Sequence, residues 1–261
     1  MPISKSYNTY STLQRPEFRK RVEALLDQFQ EEFYKDPEAQ KMLNNDFFSL
    51  ELYKRHNIET ILRIVLRRPI DPLIANYWAS RNSKLCKEWA LYGAEEGRHD
   101  RMFARDMHLV GVTDEEIYST PPTFATELLT GYYYYTLATD GPLGAMAAVF
   151  YLESVADRTQ PAWLDVMEQH IGKDKTRGAR AHLNLDEEDE HVDLVWNMIM
   201  NVVKTEEDEE AVIRHLTKIN ALFIAYFFEV NEISEKRSAA TASQQAMAAP
   251  LAAVKTAVRQ S

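Results

Sequence analysis

The chain has 261 residues, 45% of them hydrophobic, with 40 acidic against 30 basic side chains and a formal net charge of −10. That length suits one large domain or two small ones with a full apolar core. The acidic balance excludes a general nucleic-acid surface, which needs clustered Lys and Arg, and the single cysteine excludes a disulfide framework and fits a reducing, cytoplasmic setting.

The first eighteen residues, MPISKSYNTYSTLQRPEF, contain no apolar core of a signal peptide, and no uninterrupted apolar run of about 18 residues occurs, so no membrane span is expected. A helix starts at Pro16, with Phe18, Val22, Leu25, Leu26, Phe29 and Phe33 on one face. Asp36-Pro37 opens a short second helix, and a third runs from about Ser49 to Arg67, where Pro69 and Pro72 stop it. The next is expected from about Asp71 to Val110, closed by Gly111. Thr113 caps a short element, and Pro121-Pro122 begins the segment with Tyr132–Tyr135, read as an aromatic helix wall. After Asp140-Gly141-Pro142 come helices over Leu143–Gln169, about Asp174–Val203, and Thr205 to about Ser234. The pattern is all-α: a domain over residues 1–235 and an Ala/Ser-rich tail over 236–261, either a frayed helix or disordered.

Chemistry concentrates in two E-x-x-H pairs, Glu96 with His99 and Glu188 with His191. On a helix, residues three apart share a face, so a carboxylate and an imidazole can reach one metal ion. Each pair follows a glutamate on an earlier helix, Glu59 and Glu153 respectively, and E…ExxH…E…ExxH is the set with which helical bundles hold two iron or manganese ions. Glu153 follows the apolar run AAVFYL, where an unpaired carboxylate costs several kcal/mol. Glu59 reads equally as a solvated charge.

The helix bearing His191 holds a conflict. At about 100° per residue, Val195, Met198 and Val202 fall within about 40° of His191 and Glu188 about 60° away, while His182 and Asp186 face the opposite side. A straight helix offers Glu188 with His191, or His182 with Asp186, but not both; a π-bulge would relax this.

GAEEGRHDRMFARDMHLVGV, GYYYYTLATDGPLGAMAAVFYLES and RAHLNLDEEDEHVDLVW, in this order, resemble the heme-oxygenase-like di-iron oxidases and oxygenases, relatives of the thiaminase II and pyrroloquinoline-quinone-synthase proteins. The similarity covers roughly residues 45–235. It implies a single bundle of about seven helices around a cavity, two Fe(II) ions without heme, and O2 as co-substrate. The reactions it implies are N-oxygenation of a small amine or amino acid, oxidative C–C cleavage of an amino or fatty acid, or self-sacrificing aminobenzoate synthesis. Carried over by motif, Glu96, His99 and Glu153 match family ligands, and His182 and Asp186 match the first two members of its closing H-x3-D-x2-H. The third position here is Asp189, and the next histidine is His191, two residues later. Either the helix bulges and His191 takes that place, or the second site is ferritin-like and uses Glu59, Glu188 and His191.

The resemblance also implies a small-molecule substrate and an external electron donor; the acidic balance and the lack of a long apolar run imply no nucleic-acid or membrane partner, and a homodimer suits a bundle of this size. Two readings compete: a ferritin-like di-iron carboxylate protein that stores iron or binds a partner without an organic substrate, and a metal-free thiaminase-like hydrolase or binding protein, with Cys86 as a nucleophile rather than a small core residue. Phe150 and Tyr151 are further cavity-wall candidates. Arg63, Arg67 and Arg68 read either as anchors for a substrate carboxylate or as solvated helix charges, and His56, His108, His170 and His215 as structural.

Overall fold

A computed structural model of the protein describes residues 16–41, 48–188 and 191–258, excepting the side chains of 185–188 and 244–258. The α-helices are α1 Pro16–Phe33, α2 Pro37–Lys41, α3 Leu50–Arg67, α4 Ile70–Ala79, α5 Ser83–Glu96, α6 Asp100–Leu109, α7 Asp114–Ser119, α8 Phe124–Thr139, α9 Leu143–Ile171, α10 Arg177–Glu188, α11 His191–Val202 and α12 Glu206–Val258. Among the described residues there is no strand, and ten of these helices exceed six residues, more than the seven or so expected.

The excess arises where one long helix was expected and shorter ones form. Residues 71–110 make α4, α5 and α6. The N–H groups of Arg81 and Asn82 both bond to the Trp78 carbonyl, and the buried Asn82 side chain accepts the Leu85 N–H at 3.0 Å, so a new helix is capped there. At the second joint, His99 N–H bonds to the Glu96 carbonyl at 3.2 Å, an i→i+3 turn that stacks residue 99 over residue 96. Within 174–203 the described residues form α10 and α11, and residues 189–190 between them lie outside the described residues. Gly111, with φ of +84°, ends the α6 segment as the sequence indicated.

Helix α9 is the central element. Every residue from Leu143 to Tyr151 is buried, and Phe150 packs on Trp196 of α11 with ring centroids 5.3 Å apart. A second apolar cluster joins α3 to α6 and the far half of α9 through Tyr53, Ile61, Phe103, Met107 and Leu164. The tyrosine run is not one wall: Tyr133 is core, Tyr132 hydrogen-bonds His215 Nδ1 at 2.7 Å, and Tyr134 and Tyr135 are exposed. Helix α12 continues past Ser234, where the sequence placed its end, so the backbone of the Ala/Ser-rich segment is helical to Val258. By length and composition alone, 206–243 would also suit a membrane span; here it packs on α3, α8 and α9 as a bundle helix.

Candidate metal centre

Five buried side chains from separate parts of the chain converge: Glu96 at the end of α5, His99 in the turn after it, Glu153 in α9, His182 in α10 and His191 at the start of α11. Their ligand atoms form two groups, Glu96 with His99 and His182, and Glu96 with Glu153 and His191, each within 4.8 Å. Glu96 Oε1 lies 3.3 Å from Nδ1 of His99 and 3.3 Å from Nδ1 of His191. The His99 and His182 rings meet edge to face at 4.6 Å.

The helical phase conflict disappears in this arrangement. His182 in α10 and His191 at the start of α11 both reach Glu96, which one straight helix would not allow, and residues 189–190 between them lie outside the described residues. The sequence pattern named both histidines as candidate ligands, with a bulge as the way to reconcile their phases, and in the structure both lie at Glu96. The side chains of Asp186 and Glu188, the other candidates on α10, lie outside the described residues.

Glu59 is neither a solvated charge nor part of either group. It is fully buried, ion-paired to Arg55, and accepts hydrogen bonds from the Thr123 N–H at 3.1 Å and the Thr123 hydroxyl at 3.2 Å. Its carboxylate ties α3 to the N-cap of α8, which removes the ferritin-like ligand set that relied on it. A buried carboxylate with an internal cation and two donors is satisfied without metal.

Three residues that support the centre had no motif to reveal them. Tyr92, one turn before Glu96, donates its hydroxyl proton to Glu153 Oε1. Burial and the nearby Glu153 and Glu96 carboxylates push its phenol well above the ordinary value, so it stays protonated and can only donate to Glu153. Arg67 places its guanidinium 5.5 Å from the Tyr92 ring centre and pairs with Asp71 at 3.2 Å. The fully buried Asp106 accepts the N–H groups of Gly178 and Ala179, both at 2.8 Å, and so fixes the first turn of the helix that carries His182. Gly178 is required there because a Cβ would stand 2.0 Å from the Met102 carbonyl oxygen.

Burial by itself would raise the Glu96 carboxyl, but contact with His99 and the charges of Arg67, His99 and His182 outweigh it and hold the group below the usual carboxylate value. Glu96 therefore stays anionic, as a ligand must. Its Oε1 and His99 Nδ1 are buried without a well-formed hydrogen bond, and two carboxylates with three imidazoles are the oxygen and nitrogen donors that suit iron. The residues present fit a metal pair that shares Glu96.

A cavity of about 350 Å3 opens onto Glu96, Glu153 and His182. Tyr133 and Tyr151 line it, whereas Phe150 is turned into the core. Arg63 and Arg67 line it too, while Arg68 pairs with Asp100 at 2.6 Å on the exposed side. Cys86 packs against the core and is not part of the lining. Of the other histidines, His108 pairs with Asp114, His170 stacks on Phe48, His215 bonds Tyr132, and only His56 faces the cavity.

No curated protein matches the sequence. The crystal structure of a domain of unknown function with a heme oxygenase-like fold, from Shewanella denitrificans OS217, is similar over 83% of this chain and 93% of that chain, with a TM-score of 0.73 and 20% identity. That likeness establishes the fold. A family profile described as iron-containing redox enzyme matches residues 91–222, a stretch that includes Glu96, His99, Glu153, His182 and His191. The chain thus belongs to the family of iron-containing redox enzymes and has a heme-oxygenase-like fold.

Proposed function

We propose that the protein is a non-heme di-iron oxidase or oxygenase that uses O2 to oxidise a small amine, amino acid or fatty acid within its cavity. The observation that carries this reading is the sharing of Glu96 between two buried groups of ligand atoms, one completed by His99 and His182 and the other by Glu153 and His191. Iron(II) bound there supplies electrons and open coordination positions for O2.

The protein's own contribution is position and exclusion. Tyr92 orients Glu153 by its hydrogen bond, and Asp106 holds the helix that presents His182. The cavity reaches the ligands along mostly apolar walls, so a substrate entering it displaces water from Glu96, Glu153 and His182 together. The hydrolase alternative loses its nucleophile, since Cys86 does not face the cavity.

Anaerobic reconstitution with Fe(II) tests the reading. About two irons per chain are expected, with Glu153→Ala reducing that number and with visible absorbance changing on exposure to O2. Unchanged iron content in Glu153→Ala would overturn the assignment.

A further inference from the structure

We propose that Arg63, with Trp163 and Tyr226, forms a subsite for the carboxylate of an organic acid whose apolar body fills the cavity. The inference rests on reading that cavity as the substrate chamber, and it names the head group the chamber selects.

Three guanidinium groups border the cavity: Arg63, Arg67 and Arg158. Arg67 pairs with Asp71, and Arg158 pairs with Glu23 and Asp27. Among the described residues, no carboxylate lies within ion-pair distance of Arg63. Its Nη2 donates to Thr60 Oγ1 at 2.8 Å, its guanidinium lies 4.4 Å from the centre of the Tyr226 ring, and its Nη1 is buried without a hydrogen-bond partner. Arg63 is partly buried, and its Nη1–H, shut off from water without an acceptor, is costly to leave unpaired; the cavity beside it is the space in which an anion can sit.

Neighbouring groups favour an acceptor as well. Trp163 lines the same cavity, and its Nε1–H is buried and unpartnered. Between them, the Tyr226 hydroxyl lies 3.0 Å from His56 Nδ1, and the His56 ring meets Trp163 edge to face at 5.1 Å. Arg63 and Trp163 therefore present two unused N–H donors, and neither can accept.

Geometry and charge count choose the ligand. A guanidinium matches a carboxylate with paired hydrogen bonds. A phosphate dianion would bring a second charge, and no second unpaired guanidinium borders the cavity. Arg63 stands about 6 Å along α3 from Arg67, the residue whose charge acts on Glu96. An acid held at Arg63 thus lies beside the metal centre without occupying its ligand positions, and Phe29, Phe223 and Phe227 receive its body.

The test is calorimetric titration of the metal-free protein with phenylbutyrate, phenylbutanol and phenylbutylamine, which share a body and differ in head group. The acid is expected to bind about tenfold or more tighter than the alcohol, the scale of one hydrogen bond to a charged group, with the amine weakest. Arg63→Gln should abolish that preference and Arg63→Lys should keep part of it, with iron stoichiometry unchanged in both. Equal affinity for acid and alcohol in the wild type would overturn the subsite, as would an acid preference that survives Arg63→Gln. Iron loading measured on the same samples keeps the two readings apart: a protein that prefers the acid but takes no iron upholds the subsite and refutes the di-iron centre.

Discussion

Glu96 Oε1 stands 3.3 Å from Nδ1 of His191, at the junction where α5 ends and α11 begins, and the same oxygen is 3.3 Å from Nδ1 of His99. One carboxylate therefore belongs to both ligand groups, while Glu153 and His182 each belong to one. Glu96→Ala is expected to reduce bound iron from about two per chain to nearly none. Glu153→Ala and His182→Ala should each retain roughly half of the wild-type content. Metal analysis of the three variants after anaerobic loading checks this; equal losses in all three would contradict the shared arrangement.

Tyr92→Phe removes one hydroxyl and leaves the ring on its neighbours. The variant should fold, with a stability loss of about 1 kcal/mol. Glu153 loses the donor that orients it, so iron affinity should fall by roughly 10- to 100-fold. A competition titration against an iron chelator reads the effect.

Asp106 and Gly178 act through α10. Asp106→Ala leaves the Gly178 and Ala179 N–H groups without their acceptor and should cost about 1–2 kcal/mol in urea unfolding. Gly178→Ala drives a methyl group into the Met102 carbonyl, so α10 must shift and carry His182 with it. Both variants are expected to weaken the His99–His182 metal site more than the Glu153–His191 site, which is measurable as a change in iron stoichiometry.

Glu59→Gln separates a structural carboxylate from a ligand. With Arg55 left as a buried, unpaired cation, stability should fall by roughly 3 kcal/mol. Iron content per folded chain should not change. Loss of iron at constant stability would restore Glu59 as a ligand.

His56 gives the protein an acid sensitivity in a defined window. Burial, and secondarily the charge of Arg63, pushes its imidazole down to about 3. Between that value and the ordinary histidine pKa, the unfolded chain binds a proton that the folded chain does not, so folding stability falls as pH is lowered through about 6.5. The slope from this group is about 1.4 kcal/mol per pH unit below that point. His215, lowered chiefly by burial, adds to it with the same sign. Urea midpoints at pH 7 and pH 5 should differ less in His56→Gln than in the wild type; an unchanged difference would show that His56 does not carry the effect.

The amino-acid sequence by itself determined the all-helical class, and local physics alone singled out Glu96, His99 and Glu153 as candidate ligands. The spacing of Glu96 and His99 places them together whether the backbone is an α-helix or the tighter turn that forms there. Glu153 was visible because a carboxylate after AAVFYL demands a partner. The tertiary structure decided what depends on non-local neighbours. It gave Glu59 an internal cation and a cap to hold, and brought Tyr92 to Glu153 across two helices. It also turned both His182 and His191 towards Glu96, which a phase calculation on one straight axis cannot represent. Hydrophobic periodicity fixes the face of a straight helix but not how turns far apart along the chain are turned towards a common neighbour, and it is tertiary packing that brings both His182 and His191 to Glu96.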